Sequence, residues 1–387
     1  MRDGLIDTMP TSARPRRGLR LAVLVLAVVA ALGAAVVWMV VSSRPRFVPR
    51  QVLKSPTSAL PLAFTPDGSG LVTLGGPPRR ITLWDLATGK ERGSGELMAT
   101  KDVVSAMVSR DGRMCFVTGL DDADKQDTIE CLELPSCRSL GHVSMVRSVQ
   151  HKEALTSDGT RLRIVRQVTG PQIEVIEYDL STLREVARRS FLLPEEFLVS
   201  LNRDGRLAAS FHPGGPVISV VVFDPEDSRV IARFEEIPGS SPILVCQLEE
   251  GGRSLAIGRL DGCVELWDIH SGRTVARWHP HARGLTPCWL AFSPDGSIVA
   301  SDAVEMTPPG PVRTFARFFA RLPGFRRLEV DELVFIDRAT GRVRGRLGGT
   351  GWPLFSPDGR TFAVFRVDGN GNGSTAIYEV PPAAGGH

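Results

Sequence analysis

From about residue 50 onward, hydrophobic residues fall in short runs of four to six, each bounded by Asp-Gly, Ser-Gly or Pro-Asp-Gly signals. That alternation predicts consecutive antiparallel strands joined by tight turns, because Asp and Gly supply the side-chain hydrogen bonds and positive φ such turns need. Residues 254–296 hold one complete unit. An apolar run ends at Gly258, Asp261-Gly262 turns the chain, and a second run ends at Trp267-Asp268. Ser271-Gly272 turns it again, Thr274 to Trp278 forms a third run, and Leu290 to Gly296 opens the next unit.

The unit recurs. Aromatic or aliphatic residues followed by an acid occur at Trp84-Asp85, Leu132-Glu133, Tyr178-Asp179, Phe223-Asp224, Trp267-Asp268, Ile336-Asp337 and Tyr378-Glu379, at intervals of 48, 46, 45, 44, 69 and 42 residues. A turn precedes each, at Gly68, Gly112, Gly159, Gly205, Gly252, Gly296 and Gly359. A period of roughly 40–45 residues is that of four-stranded propeller blades, so the expected fold is all-β, a seven-bladed β-propeller spanning residues 49–387. The last unit has no fourth strand of its own. Arg50 to Leu53 is expected to supply it and close the ring, which removes exposed sheet edges.

Leu83-Trp84-Asp85, Asp261-Gly262 with Leu266-Trp267-Asp268, and the Phe-Ser-Pro-Asp-Gly runs at 292–296 and 355–359 resemble the tryptophan-aspartate (WD-repeat) propeller family. The resemblance covers roughly residues 49–380 and implies a scaffold that binds other proteins through its loops. It also implies a buried His, Ser/Thr, Asp and Trp hydrogen-bond network in a blade. Asp261 and Trp267 stand at two of those positions, while Ile257 replaces the hydroxyl. The hairpins 85–90, 268–273 and 337–342 resemble quinoprotein propeller repeats as well, which keeps a propeller enzyme or small-ligand sensor, of quinoprotein or channel-metal type, as the alternative function.

Ahead of the repeats, residues 1–20 form an Arg-rich tail, and residues 21–41 carry no charge. Twenty-one residues span about 31 Å as a helix, the thickness of a bilayer core, so a single transmembrane helix and signal anchor is expected there. A short tether, residues 42–48, follows. The Arg residues before the span favour an N-terminus inside and a propeller on the extracytoplasmic side. The expected partners are therefore the lipid bilayer, through residues 21–41, and proteins.

The longest interval marks an insertion at 303–331 in the sixth unit. Arg313, Arg317 and Arg321 fall on one face of a helix, with Phe315, Phe318 and Phe319 on the opposite face, and Pro311 and Pro323 bracket the segment. A basic amphipathic element of this kind binds a partner protein, lies on a membrane surface, or covers the propeller wall. These six residues are the candidate partner-binding site.

Composition adds limits. A net charge of +3 gives no general nucleic-acid footprint. The six Cys have no zinc-type spacing; Cys131 with Cys137, and Cys246 with Cys263, are pairs a hairpin or blade can bring close. His279, His281 and Cys288 are transition-metal donor types in one loop but lack a fourth ligand. No nucleophile elbow, phosphate-cradling loop or His-Glu-x-x-His occurs. The sequence therefore predicts a noncatalytic module without cofactor, metal or catalytic residues.

Overall fold

The computed structural model describes residues 47–382, except 57, 101, 122–125, 147, 149, 169, 194–197, 212–218, 236–239, 306–331, 349–350 and 368–372. The chain divides into two units, Met1–Arg46 and Phe47–His387. Among the described residues no helix is long and apolar enough to cross a membrane; the expected span at 21–41 lies outside them.

The described residues of the second unit form seven four-stranded antiparallel sheets. A preliminary strand, β1 (Gln51–Lys54), is followed by six blades in chain order. Blade one is β2 (Leu60–Phe64), β3 (Gly70–Gly75), β4 (Arg80–Asp85) and β5 (Glu91–Glu96). Blade two is β6 (Asp102–Val108), β7 (Met114–Asp121), β8 (Gln126–Glu133) and β9 (Arg138–Val146). Blade three is β10 (Gln150–Leu155), β11 (Arg161–Gln167), β12 (Gln172–Asp179) and β13 (Glu185–Leu192). Blade four is β14 (Leu198–Leu201), β15 (Ala208–Phe211), β16 (Ser219–Phe223) and β17 (Val230–Glu235). Blade five is β18 (Ile243–Leu248), β19 (Ser254–Arg259), β20 (Val264–Asp268) and β21 (Arg273–Trp278). Blade six is β22 (Leu285–Phe292), β23 (Ile298–Glu305), β24 (Glu332–Asp337) and β25 (Val343–Gly348). Blade seven takes β26 (Leu354–Phe355), β27 (Thr361–Val367) and β28 (Gly373–Glu379) from the end of the chain and β1 from its beginning, in the order β1-β28-β27-β26.

The closing strand was legible in advance. Gln51 pairs with Ile377 and Lys54 with Ser374, and Leu53 is buried among Phe64, Leu71, Trp84, Ala363 and Ile377. Phe47, which the sequence reading placed in the tether, belongs to the same body. Its ring lies 5.8 Å from Phe335 and edge-on to Phe362 and Tyr378, both at 6.1 Å.

Seven hydrophobic clusters fill the seven gaps between neighbouring blades. This explains the short unbroken apolar runs: the middle strands have a blade on each side, so β3, β15 and β19 are buried at every position. Outer strands face water on one side and alternate instead, as in β13. Each blade runs outward as strands a to d. Consecutive antiparallel strands put the a–b and c–d turns on one face of the ring, and the b–c turns and inter-blade connections on the other.

The a–b turns repeat one hydrogen-bond pattern. The hydroxyls of Thr65, Ser109, Thr156, Ser293 and Ser356 each donate to the Asp two residues on, all at 2.6 Å. The same carboxylates accept backbone N–H groups, such as Ser69 N to Asp67 Oδ1 at 3.0 Å. Hydrogen bonds from Thr65 and Ser69 hold Asp67 down at about 2. Gly252 keeps the turn in blade five, φ +69°, where Glu249-Glu250-Gly251 replaces the usual Ser/Thr-x-Asp. In the c–d turns, Gly89, Gly272 and Gly341 take φ of 66–70°, and Cys137, Leu183 and Ser228 are held in the same left-handed region without being Gly.

Candidate interaction surfaces

The inner strands surround a channel cavity of about 500 Å³. Its mouth on the a–b face includes turn residues of six blades: Pro66, Arg110, Arg203, Glu250, Pro294 and Pro357. All stand at the same place in the repeat, one residue after the turn-opening Thr, Ser, Asn or Glu. Arg203 and Glu250 are joined across two blades at 3.1 Å. Deeper in, Ser105 donates to Glu153.

Trp289 lines one wall, and Trp352 packs against it. Trp289 and Trp352 stand three residues before the equivalent Phe292 and Phe355, so the repeat places Trp289, in β22, beside Trp352, just ahead of β26. Their rings stack at 5.1 Å and 23°, and Trp352 remains 55% exposed. The sequence held this signal as matched Trp-x-x-Phe-Ser-Pro-Asp-Gly runs, but only the closed ring turns equal register into a contact.

The hydrogen-bond network implied by the resemblance survives in altered form. In blade one Trp84 Nε1 donates to Thr73 Oγ1 at 2.8 Å. In blade five Ile257 takes the place of Thr73, and Glu265, opposite it in the register, accepts the Trp267 N–H at 2.9 Å instead. Arg259 at 2.8 Å and Arg277 at 2.7 Å complete the carboxylate's partners. Burial pushes Glu265 up, but the bonds and charges of Arg259, Trp267 and Arg277 outweigh it and hold the carboxyl below its ordinary range. Asp261, expected in such a network, is exposed and caps its own turn, accepting the Cys263 N–H at 3.0 Å.

The loop His279 to Cys288 is not one donor cluster. His281 Nε2 lies 2.7 Å from Ser301 Oγ and its Nδ1 lies 3.4 Å from Glu332. Cys288 Sγ instead points to the Asp302 carbonyl at 3.4 Å. All six Cys are free, so neither suggested pair is bonded. Cys137 and Cys131 pack into clusters on opposite sides of blade two.

The candidate partner-binding residues Arg313, Phe315, Arg317, Phe318, Phe319 and Arg321 lie outside the described residues. The strand ends that flank their insertion, Glu305 of β23 and Glu332 of β24, lie at the b–c end of blade six, opposite its a–b turn.

No family model matches the chain. A 108-residue stretch is 30% identical to Pre-mRNA-processing factor 19 of Oryza sativa subsp. japonica, a WD-repeat protein. The chain is a seven-bladed β-propeller, and part of its repeat is similar to that of a WD-repeat protein. The match covers 26% of this chain and only 20% of that relative, so it bears on the repeat and not on the relative's whole activity.

Proposed function

We propose that this WD-like propeller is a membrane-anchored, noncatalytic interaction module that holds a protein partner on its b–c face. The observation that carries the reading is the closed seven-blade ring, a fold that presents many loops on a rigid frame, together with its likeness to a WD-repeat protein. Fold alone does not name a partner; the insertion supplies the candidate. Strand β1 begins on the a–b and c–d face, because it runs antiparallel to β28. A tether reaching the ring there leaves the opposite face, where the insertion starts and ends, available for Phe315, Phe318 and Phe319 to bury apolar area. Arg313, Arg317 and Arg321 add salt-sensitive attraction to an acidic surface.

Membrane fractionation and affinity capture test the two halves separately. Deleting residues 1–43 should move the folded protein from membrane to soluble fraction. Changing Phe315, Arg317 and Phe319 together to Ala should lose the cross-linked partner while leaving membrane attachment intact. Unchanged partner recovery would refute the assignment of the insertion.

Trp289, stacked on Trp352, favours a second reading, a small-ligand sensor, since the channel it lines, about 500 Å³ with apolar, aromatic and charged walls, has the size of a ligand site. A saturable change in tryptophan fluorescence with a metabolite extract, lost in Trp352→Ala, would support it.

A further inference from the structure

We propose that Asp261, Cys263 and His279 form a zinc(II) site at the b–c turn of blade five. A carboxylate oxygen of Asp261, the Sγ of Cys263 and an imidazole nitrogen of His279 all lie within 4.8 Å of one another. Bond lengths of about 2.0–2.3 Å around a tetrahedral zinc place ligand atoms roughly 3.3–3.8 Å apart. Closing that gap takes side-chain rotation of Asp261 and His279, both exposed, while Cys263 is buried.

The backbone brings the three together for reasons that have nothing to do with their spacing in sequence. Val264 of β20 pairs with Trp278 of β21, so the next residues out, Cys263 and His279, stand opposite each other beyond the end of the ladder. Gly262, at φ +88°, turns the chain between Asp261 and Cys263. The Cys263 N–H bond to Asp261 Oδ1 folds the carboxylate back over that turn. The turn is itself tied down: Asp261 N donates to Ser241 Oγ at 3.0 Å, Leu260 N to Pro242 O at 2.9 Å, and Thr286 Oγ1 to Leu260 O at 3.0 Å. A Cβ on Gly262 would meet the Leu285 carbonyl at 2.8 Å, so the next connection packs against it. The ligands are thus held on fixed backbone, which lowers the ordering cost of binding.

The donor set suits zinc. Thiolate and imidazole select soft or borderline transition metals over magnesium or calcium, and three protein ligands leave a fourth position for water on the exposed side. On binding, the Cys263 thiol proton passes to solvent and a Zn–S bond replaces the S–H bond. Burial first, then the charges of Glu265 and Asp261, keep the metal-free thiol protonated by pushing it up to about 11. A dication in the same place reverses that balance. The nearby cations do not compete, because Arg259 and Arg277 are both engaged by Glu265.

The full-length chain, purified in detergent and stripped with a chelator, is titrated with cobalt(II). One equivalent should produce a thiolate-to-cobalt charge-transfer band and the intense visible bands of a tetrahedral site, and zinc should displace both. Cys263→Ser should abolish the charge-transfer band. Asp261→Asn and His279→Gln should weaken cobalt binding about tenfold or more, and Cys288→Ser, which removes the exposed thiol, should change nothing. Absence of the band in the unmodified protein, its persistence in Cys263→Ser, or its loss in Cys288→Ser overturns the site. Should Cys263→Ser fail to fold, His279→Gln decides alone, since unchanged affinity there also overturns it.

Discussion

Removal of the closing strand is the perturbation that reaches furthest into this fold, because a segment near the start of the chain completes a blade built at its end. Leu53 is 1% exposed and sits in the gap between blades seven and one. Leu53→Ala deletes most of a buried side chain and leaves a cavity, at a cost of about 3 kcal/mol. Unfolding entropy of about 2.1 cal/mol/K per residue, over roughly 340 residues of Phe47–His387, amounts to ~0.7 kcal/mol/K. The Tm should therefore fall by about 4 °C. Deleting residues 1–54 removes the Leu53 contacts, the Phe47 ring, the Arg50 N–H bond to Ile377 and the whole β1 ladder. With a net contribution of about 1 kcal/mol for each lost ladder bond, the loss is on the order of 6 kcal/mol or more, near 9 °C. It also bares β28 as an open edge, so the truncated protein should associate on a sizing column. Deleting residues 1–43 spares all of these contacts and should leave Tm unchanged. Scanning calorimetry on the three proteins checks this. Equal melting of the 1–43 and 1–54 deletions would refute the role assigned to β1.

Three other outcomes are expected. Glu265→Ala leaves Arg259 buried without its carboxylate and frees the Trp267 N–H, which should cost about 3–5 kcal/mol by chemical denaturation; a loss below 1 kcal/mol would show that the pair contributes little. Burial raises Glu332, yet bonds from His281 and Ala282 N and the charge of Arg346 lower it to about 2. Its folded value lies below its unfolded one, so the stability it contributes is complete above about pH 4.5 and is lost as pH falls towards 2. The stability gap between wild type and Glu332→Gln should shrink across that window in acid melts; a constant gap contradicts the assignment. Ser228 holds φ +59°, a region that costs a non-Gly residue about 1–2 kcal/mol. Ser228→Gly should raise stability by about 0.5–1 kcal/mol after Gly's own entropy cost, visible as a small rise in denaturation midpoint.

The blade number, the order of strands and the closure by the N-terminal strand were all legible in sequence, because each rests on local chemistry. Turn Asp and Gly residues recur with the period of the unit, and a strand buried on both sides must be apolar throughout. Even the substitution at Ile257 was visible as a missing hydroxyl. What replaced it was not: Glu265 reaches Trp267 because register sets it across from Ile257, and register is a property of paired strands. The same holds for the sites. Trp289 and Trp352 are 63 positions apart and meet only because ring closure aligns equal repeat positions on adjacent blades. His279 and His281 are two apart, but the chain leaves the ladder after Trp278 and bends at His281, so their side chains do not share a face. His281 goes inward to Ser301 and Glu332, while His279 joins Asp261 and Cys263 across the end of a ladder. Spacing along the chain determined the architecture; which donors share a space was decided by strand pairing, since only the tertiary ring brings residues of distant sequence to one surface.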